Sequence, residues 1–252
     1  MQLHFKQLGH GEPLVLLHGL FGSGDNWFGV APKLAEKFHV FAPDLRNHGH
    51  SPHHAEMDYP LMAADVEKFF TAQKIKSACI IGHSMGGKVA MQFALDFPAR
   101  VKKLVVVDMA PRSYARTHDK IFAALLALDL KSFQTRAEIE DALLPEIPSL
   151  NLRRFLLKNL GRDSHGKFIW KMNLRGVVKN YSRLGEILNP QNHFDKTALF
   201  IRGGQSDYIN AADEVEIHRR FPAAKIQTIA AANHWVHADE PEEFVRRVLD
   251  FL

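Results

Sequence analysis

Gly82-His83-Ser84-Met85-Gly86 is the stretch that decides how this chain folds. An apolar run, Ala78 to Ile81, precedes it, and a small-residue stretch that is compatible with a helix, Gly87 to Leu95, follows it. A serine between two glycines at a strand-to-helix junction is the pattern of a nucleophile elbow, a sharp turn that lifts the hydroxyl above the sheet. Side chains in place of the two glycines would collide with the neighbouring strand and helix backbones. The pattern therefore predicts that Ser84 is a nucleophile.

Short apolar runs and helix-compatible segments alternate through the first half of the chain. Four runs are strand-like, because they are enriched in Val and Ile and mostly bounded by Gly, Pro, Asp or Asn. Segments with helical apolar spacing separate them. This rhythm predicts a parallel sheet with helices on both faces. The predicted strands are Leu14 to Leu17, His39 to Ala42, Ala78 to Ile81 and Leu104 to Val107, and the predicted helices are Trp27 to Phe38, Ala63 to Gln73 and Lys88 to Phe97.

The rhythm breaks at about residue 112, after which helical patterns dominate and no buried strand is evident as far as residue 196. An insertion of ~85 residues is too long for a plain connection between strands. We therefore predict a core domain of residues 1–111 and 197–252 and a helical cap of residues 112–196. The cap helices are predicted at Lys120 to Leu130, Arg136 to Leu144 and Leu152 to Leu160. The core resumes with strands at Ala198 to Ile201 and Lys225 to Ile229 and with helices at Ala212 to Arg220 and Glu242 to Leu252.

The bulk composition is that of one soluble domain with an insertion, since 46% of the 252 residues are hydrophobic and 24% are charged. The net charge of +4 comes from basic pairs scattered along the chain, so we expect no nucleic-acid partner. No run approaches the ~18 apolar residues of a membrane span, and the N-terminus lacks a secretion signal. The lone Cys79 cannot form an intrachain disulfide. We expect a cytoplasmic protein without a membrane span; the oligomeric state stays open.

A glycine-rich turn follows the first buried strand. In a parallel sheet the turn His18-Gly19-Leu20-Phe21-Gly22 would lie beside Ser84. The backbone amide of Leu20 or Phe21 can then form an oxyanion hole together with the amide of Met85. The alternative is a plain turn, but the neighbouring elbow favours the oxyanion hole.

Two histidines follow the last predicted strand, in the order expected for a general base that comes after its nucleophile. A serine hydroxyl is a poor nucleophile until an adjacent imidazole takes its proton. His234 is the better candidate, because it lies just beyond Ile229 in a loop of small residues. His237 is predicted to support the loop.

Five motifs in one order make the chain similar to the α/β-hydrolase fold superfamily over nearly its whole length. The pairing of Arg46-Asn47-His48-Gly49 with the elbow and with Val107-Asp108-Met109-Ala110-Pro111 more narrowly resembles the YbfF-type bacterial esterases and their mitochondrial abhydrolase relatives. The resemblance implies a mostly parallel sheet and a capped active site. The motifs are the turn at His18, the segment Asp44 to Ser51, the elbow with Gly87-Lys88, Gly203-Gly204-Gln205-Ser206-Asp207, and His234-Trp235-Val236-His237-Ala238.

The resemblance leaves two candidates for the acid of a Ser-His-Asp triad. In the superfamily at large the acid follows the strand after the cap, which is where Asp207 stands. In the YbfF-like subgroup the position of Asp207 often lacks an acid. There the aspartate of the Val-Asp-x-x-Pro motif, here Asp108, serves as the triad acid. A buried carboxylate holds the imidazole tautomer and stabilises the imidazolium. We favour Asp108 and expect the other aspartate to order its loop.

Candidate substrate-binding residues are Arg112, Phe122, Trp170 and Trp235. Arg112, with the nearby Tyr114, Arg116 and His118, either binds an anionic group of the substrate or belongs to a solvated hinge. The aromatic and apolar residues of the cap either line an acyl pocket or form its core; they are Phe122, Leu126, Phe168, Trp170, Met172 and Tyr181.

The predicted activity is hydrolysis of short- to medium-chain carboxylic esters or acyl thioesters through an acyl-enzyme at Ser84. An alternative is a lyase or carbon–carbon bond hydrolase of the same fold, which would need Arg112 or Arg116 to hold a carboxylated substrate. A non-enzymatic ligand receptor on this fold is a further alternative. We expect no metal or organic cofactor: His48, His50, His53 and His54 are crowded, but no carboxylate or thiolate accompanies them at ligand spacing.

Overall fold

The computed structural model describes residues 1–186 and 192–252. Strands and helices alternate on both sides of an insertion between β5 and β8. The strands are β1 (Phe5–Leu8), β2 (Glu12–Leu17), β3 (Phe38–Pro43), β4 (Ala78–His83), β5 (Val101–Val107), β6 (Leu160–Arg162), β7 (Phe168–Trp170), β8 (Ala198–Gly203) and β9 (Ala224–Ile229). The helices are α1 (Ala31–Leu34), α2 (Tyr59–Ala72), α3 (Met85–Asp96), α4 (Asp119–Ala127), α5 (Arg136–Ala142), α6 (Leu150–Leu157), α7 (Leu174–Leu184), α8 (Asp213–Arg220), α9 (Val236–Asp239) and α10 (Pro241–Phe251).

The main sheet has the strand order β1-β3-β2-β4-β5-β8-β9. β1 pairs antiparallel with β3, and the other neighbours pair parallel. Because these strands pair in parallel, their carboxyl ends lie side by side: His83 lies opposite Val107, and Val107 lies opposite Ile201. The loops after β4, β5, β8 and β9 therefore leave from one edge of the sheet. That edge carries the candidate site.

Helices cover both faces of the sheet, as the sequence predicts. Along β4 the side chains alternate between the two apolar cores, because successive residues of a strand point to opposite faces. Ile80 packs in the core that includes α2 and α3, whereas Cys79 and Ile81 pack in the core that includes α1 and α10. Burial raises the pKa of the Cys79 thiol. This cysteine is a core residue.

The segment between β5 and β8 contains α4, α5, α6 and α7, and we refer to residues 112–196 as the cap. It also contains a feature that the sequence pattern did not reveal, an antiparallel hairpin of β6 and β7. Each of these strands has three residues, too few for a recognisable alternation. The cap is tied to the core by polar contacts: Tyr59 Oη donates to Leu184 O at 2.6 Å, and Asn180 Nδ2 donates to Ala55 O at 2.9 Å.

One other expectation needs correction, and one strand was not predicted. The helix predicted at Trp27 to Phe38 is a 3-10 turn, Gly24–Trp27, followed by the short α1. Pro32 fits only in the first turn of a helix because it has no N–H to donate, and Phe38 already pairs with Glu12 in the sheet. The edge strand β1 was not predicted, because three of its four residues are exposed and it lacks a buried apolar run.

Candidate active site

Ser84 occupies the sharp turn between β4 and α3, as the elbow pattern predicts. Its backbone angles are φ 52° and ψ −120°, a conformation that few non-glycine residues adopt. A Cβ on Gly82 would lie 2.2 Å from Gly86 O, and a Cβ on Gly86 would lie 2.3 Å from Leu17 O. The glycines are therefore required by close backbone contacts, and the turn raises the serine hydroxyl above the edge of the sheet.

Ser84, His234 and Asp108 form one chain of hydrogen bonds. His234 Nδ1 lies 2.8 Å from Asp108 Oδ2, and His234 Nε2 lies 3.0 Å from Ser84 Oγ. Because an ionised carboxylate accepts but cannot donate, the Nδ1 atom carries the ring proton. Nε2 then has a free lone pair that accepts the serine proton. The arrangement can convert a hydroxyl into a nucleophile.

The Asp108 carboxylate is fully buried at the end of β5 and has three donors. Besides His234, the Gly203 N–H donates to Oδ1 at 3.0 Å, and Ser206 Oγ donates to Oδ2 through a short hydrogen bond. Asp108 itself has φ 49°, so its backbone turns sharply where the strand ends. Sequence reasoning missed Ser206, although it lies inside the quoted Gly203–Asp207 motif.

Asp207, the other candidate acid, is exposed. It lies on the wall of the cavity next to Ser84, and its carboxylate makes no hydrogen bond or ion pair with any residue in the described ranges. Asp207 is therefore not positioned to orient His234, and the geometry favours Asp108.

Two further histidines pack beside His234: His83 contacts it directly, and His237 packs on His83. His83 Nε2 donates to the backbone oxygen of His234 at 2.9 Å, and burial holds the pKa of His83 well below its ordinary value. Burial also lowers the pKa of His237 to about 3, and its ring packs 4.4 Å from that of Trp27. Both rings are therefore neutral, and the role of His237 as a support of the loop stays a prediction. No sequence pattern indicated the contact of His83.

Tyr208 lies flat on the imidazole of His234, with ring centroids 3.8 Å apart and an interplanar angle of 19°. The backbone of this tyrosine is held by Tyr114, whose hydroxyl donates to Tyr208 O at 2.6 Å and accepts from the Ala110 N–H at 2.8 Å. Stacking on Tyr208 keeps the imidazole of His234 in the plane in which it contacts both Asp108 and Ser84. Sequence reasoning did not find Tyr208, because stacking across two loops leaves no local pattern.

The predicted oxyanion residues lie where the turn after β2 approaches the elbow. A Cβ on Gly19 would lie 3.3 Å from Ser84 Cβ, so the backbone of this turn passes close to the nucleophile. Met85 begins α3, and the first N–H groups of a helix have no partner within it. The N–H groups of Leu20 and Phe21 make no backbone hydrogen bond within residues 1–186 and 192–252. These amides are available to an oxygen bound beside Ser84.

Two cavities meet at Ser84. One has a volume of about 430 Å³ and extends beneath the cap past Tyr59 and Met109. The other has a volume of about 160 Å³ and extends towards Trp27 and Trp235. Ser84, Leu20 and His118 line both cavities. A substrate that reacts at Ser84 can therefore place one part on each side of the scissile bond.

The predicted substrate-binding residues divide into two groups. Arg112 lines the larger cavity and Trp235 the smaller one. Phe122 instead packs in the cap between Phe21 and Tyr181, with ring centroids at 5.0 and 4.9 Å. Trp170 lines a separate cavity within the cap. Neither Phe122 nor Trp170 therefore lines the two cavities at Ser84, because apolar spacing along the chain cannot distinguish a cavity wall from cap core. Phe168, Met172 and Leu126 also line that separate cavity, whereas Tyr181 lines the larger one beside Ser84.

His118 is held by Tyr181 at the junction of the two cavities. The hydroxyl of Tyr181 lies 3.2 Å from the His118 backbone N, whose proton it accepts, and 2.6 Å from His118 Nδ1. This hydroxyl therefore holds both the backbone and the ring of His118. Burial, followed by repulsion from His234, lowers the pKa of His118 to about 4. The ring is neutral at physiological pH.

The crowded histidines after β3 belong to a structural loop. His48 Nδ1 donates to Arg46 O at 3.0 Å, and burial lowers the pKa of His48 to about 3. The carboxylate of Asp44 accepts from the backbone N–H of Gly24 at 2.7 Å and of His50 at 2.9 Å. Across residues 1–186 and 192–252, no group of three or more His, Cys, Asp or Glu side chains is placed to hold a metal ion. No helix in those ranges has the length and apolar character needed to cross a membrane.

Fold, motif order and site geometry are those of one family: the chain belongs to the α/β hydrolase fold family, whose model matches residues 12–241. It is 37% identical to the sn-1-specific diacylglycerol lipase ABHD11 of Danio rerio, over 98% of this chain and 80% of that protein. It is also 37% identical to Esterase YbfF of Escherichia coli (strain K12), over 96% of this chain and 93% of that protein. A solved structure described as "Marine microorganism esterase" is 44% identical, with a TM-score of 0.97 over 100% of this chain and 99% of the other.

Proposed function

We propose that this protein is a serine esterase that hydrolyses carboxylic esters or acyl thioesters through a covalent acyl-enzyme. The observation that carries the proposal is the continuous hydrogen-bonded chain from Ser84 through His234 to the buried Asp108. The printed names of its relatives, an esterase and a diacylglycerol lipase, agree with this reaction class.

The reaction follows from the positions of the protons. His234 accepts the hydroxyl proton through Nε2 while Ser84 Oγ attacks the carbonyl carbon, and Asp108 stabilises the imidazolium. The amides of Met85 and Leu20, with Phe21 beside them, donate to the oxyanion of the tetrahedral intermediate. The imidazolium then protonates the leaving alcohol or thiol. Water, deprotonated by the same imidazole, attacks the acyl-enzyme and releases the acid and Ser84.

The cavities support short- to medium-chain substrates. The larger one, about 430 Å³, is lined by Leu20, Tyr59, Met85 and Met109 around Ser84. Apolar lining favours an acyl chain or an uncharged alcohol group. We propose that residues 112–196 act as a cap over this cavity and that Arg112 and Trp235 contact the substrate.

The alternative, a lyase or carbon–carbon bond hydrolase of a carboxylated substrate, needs a cation free to bind the carboxylate. Arg112 Nε lies 2.8 Å from Asp213 Oδ1, and Arg116 Nη2 lies 2.8 Å from Asp119 Oδ1. Both guanidinium groups therefore already have a carboxylate partner, which weakens this alternative.

The test is hydrolysis of p-nitrophenyl esters of increasing acyl length, compared with the matching acyl thioesters, by the unmodified chain and by Ser84→Ala. We expect the unmodified chain to hydrolyse the shorter esters and to be labelled by a fluorophosphonate probe. Ser84→Ala should lose both properties and keep its thermal unfolding temperature. Turnover by Ser84→Ala would remove the nucleophile assignment. A folded chain that neither hydrolyses these substrates nor takes up the probe would favour a ligand receptor.

A further inference from the structure

The proposed donors of the oxyanion hole are held in place by different parts of the molecule. Met85 is the first residue of α3, so the helix and the sheet beneath it fix its N–H. Leu20 and Phe21 lie in the turn between β2 and the 3-10 helix, outside any regular element. The turn is closed by one backbone hydrogen bond, from the Gly22 N–H to Gly19 O at 3.0 Å. The orientation of its other peptide groups depends on contacts from elsewhere.

One of these contacts comes from the cap. Asn159, just beyond α6, donates from Nδ2 to Phe21 O at 2.6 Å. The same amide donates to Leu156 O at 3.1 Å, and the Lys171 N–H donates to Asn159 O at 2.8 Å. Asn159 and Phe21 are each only 3% exposed, so this hydrogen bond lies away from bulk solvent. The cap thus presents a fixed donor to the turn.

Together, the two hydrogen bonds lock a single peptide plane. The Phe21 carbonyl and the Gly22 N–H belong to the same planar unit and point in opposite directions. Gly19 holds the N–H end, and Asn159 holds the carbonyl end. The preceding peptide unit carries the Phe21 N–H, and the two units meet at Phe21, whose φ is +60°. A phenylalanine is unfavourable in this left-handed conformation, so it persists only where surrounding contacts hold it.

The Phe21 side chain is also held by the cap. Its ring packs 5.0 Å from Phe122 of α4 and 5.8 Å from His118, the residue before that helix. Phe21 is 3% exposed. The backbone and the side chain of this residue therefore both depend on the cap being docked.

We propose that Asn159 is a positioning residue for the oxyanion hole: by holding the Phe21 carbonyl, the cap orients the Leu20 and Phe21 amides beside Ser84. The inference rests on the proposed esterase function and extends it, since the core supplies the nucleophile and its base while the cap completes the hole. Docking of the cap and competence for acyl transfer are thereby coupled. The oxyanion exists only in the tetrahedral intermediate and its transition states, so loss of this contact lowers kcat and leaves substrate binding unchanged.

Asn180 provides a matched control. It is also a buried asparagine of the cap, 5% exposed, and its Nδ2 likewise donates to its own helix, at Gly176 O, and to the core, at Ala55 O. That core contact lies outside the oxyanion turn. Comparing Asn159→Leu with Asn180→Leu therefore distinguishes two effects. One is weaker anchoring of the cap in general, and the other is loss of the orientation of the oxyanion donors.

The experiment measures kcat and KM for a p-nitrophenyl ester, the inhibition constant of a trifluoromethyl ketone, and the thermal unfolding temperature. The ketone adds to the serine and places an oxyanion in the hole. We expect Asn159→Leu to lower kcat by about 10- to 100-fold, below the ~10²–10³-fold loss of a direct oxyanion donor. The inhibition constant should rise by a similar factor, with KM within about 2-fold. Asn180→Leu should have a lower thermal unfolding temperature, with kcat and the inhibition constant unchanged.

Equal losses of kcat in the two variants, or an unchanged inhibition constant in Asn159→Leu, would overturn the inference while the esterase function stood. If Asn159→Leu does not fold, Asn159→Ser is measured against Asn180→Ser with the same expectations. Absence of ester hydrolysis by the unmodified chain is a separate outcome, which would overturn the proposed function and this inference with it.

Discussion

The imidazole of His234 is oriented by Asp108 at 2.8 Å, and this carboxylate comes from the end of β5 rather than from the loop after β8. Strand β5 lies between β4, which carries Ser84, and β8. The acid therefore reaches the histidine from the strand that adjoins the nucleophile strand. The loop after β8 contributes the Gly203 N–H and the Ser206 hydroxyl to the same carboxylate.

Asp108→Asn is expected to lower kcat by up to ~10⁴-fold, because the amide cannot stabilise the imidazolium and can impose the wrong tautomer on His234. Asp207→Asn should change kcat by less than about 3-fold, since its carboxylate has no hydrogen bond or ion pair within the described residues through which it could orient His234. Steady-state hydrolysis of a p-nitrophenyl ester measures both. A large loss in Asp207→Asn with none in Asp108→Asn would reverse the assignment.

Ser206→Ala removes one charge-assisted donor from Asp108 and leaves the Gly203 N–H in place. Hydrogen bonds to charged groups are worth about 1.5–3 kcal/mol, and water can replace part of this one, so we expect kcat to fall about 3- to 10-fold. Ser164→Ala, at an exposed cap residue, is the control and should leave kcat unchanged. Equal rates for the two variants would show that Ser206 only orders its loop.

Tyr208→Leu removes the aromatic face from His234. A cation over an aromatic ring is stabilised by about 0.5–2 kcal/mol, so loss of the ring should lower kcat by roughly 2- to 20-fold through the imidazolium intermediate. Tyr208→Phe keeps the ring and should retain nearly full activity. If the phenylalanine variant is as slow as the leucine variant, the hydroxyl rather than the stack is what matters.

The buried side chain of Lys88 should make the free energy of unfolding depend on pH. Burial, followed by repulsion from Arg112, lowers its pKa from 10.5 to about 7, and Nζ donates to Glu186 O at 2.6 Å. Between pH 7 and about 10 the unfolded chain therefore binds more protons at this lysine than the folded chain, so its contribution makes stability rise with pH.

Chemical unfolding at pH 7 and pH 9 checks this sign. The free energy of unfolding should increase between these values in the unmodified chain by more than it does in Lys88→Met, which has a similar volume and no titratable group. The same increase in both proteins would show that Lys88 keeps an ordinary pKa in the folded state.

Local sequence was sufficient for the elbow, the main strands and the order of Ser84 and His234 along the chain. A nucleophile elbow needs a strand, a glycine-flanked serine and a helix that are contiguous, so its physical requirements lie within one short stretch. The cap was less predictable. Its hairpin strands have three residues each, and Phe122 and Trp170 have the same apolar spacing whether they face a cavity or a core.

Several site residues left no local signal because each acts across a large separation in the chain. Ser206 reaches Asp108, His83 reaches the backbone of His234, and Asn159 reaches Phe21. Such contacts depend on where β5, β8 and the cap place their ends, and no spacing rule relates one partner to the other.

By itself, the sequence determined the fold family and pointed to Ser84 and His234 as candidates for the nucleophile and its base, because parallel strands bring the loops at their carboxyl ends to one edge. Only the tertiary structure distinguished Asp108 from Asp207, since both loops leave that edge and the Asp108 carboxylate is the one that is buried against the imidazole of His234. Only the tertiary structure revealed that Asn159 donates to Phe21 O, because the two residues are 138 positions apart and meet only when the segment after α6 packs on the turn after β2.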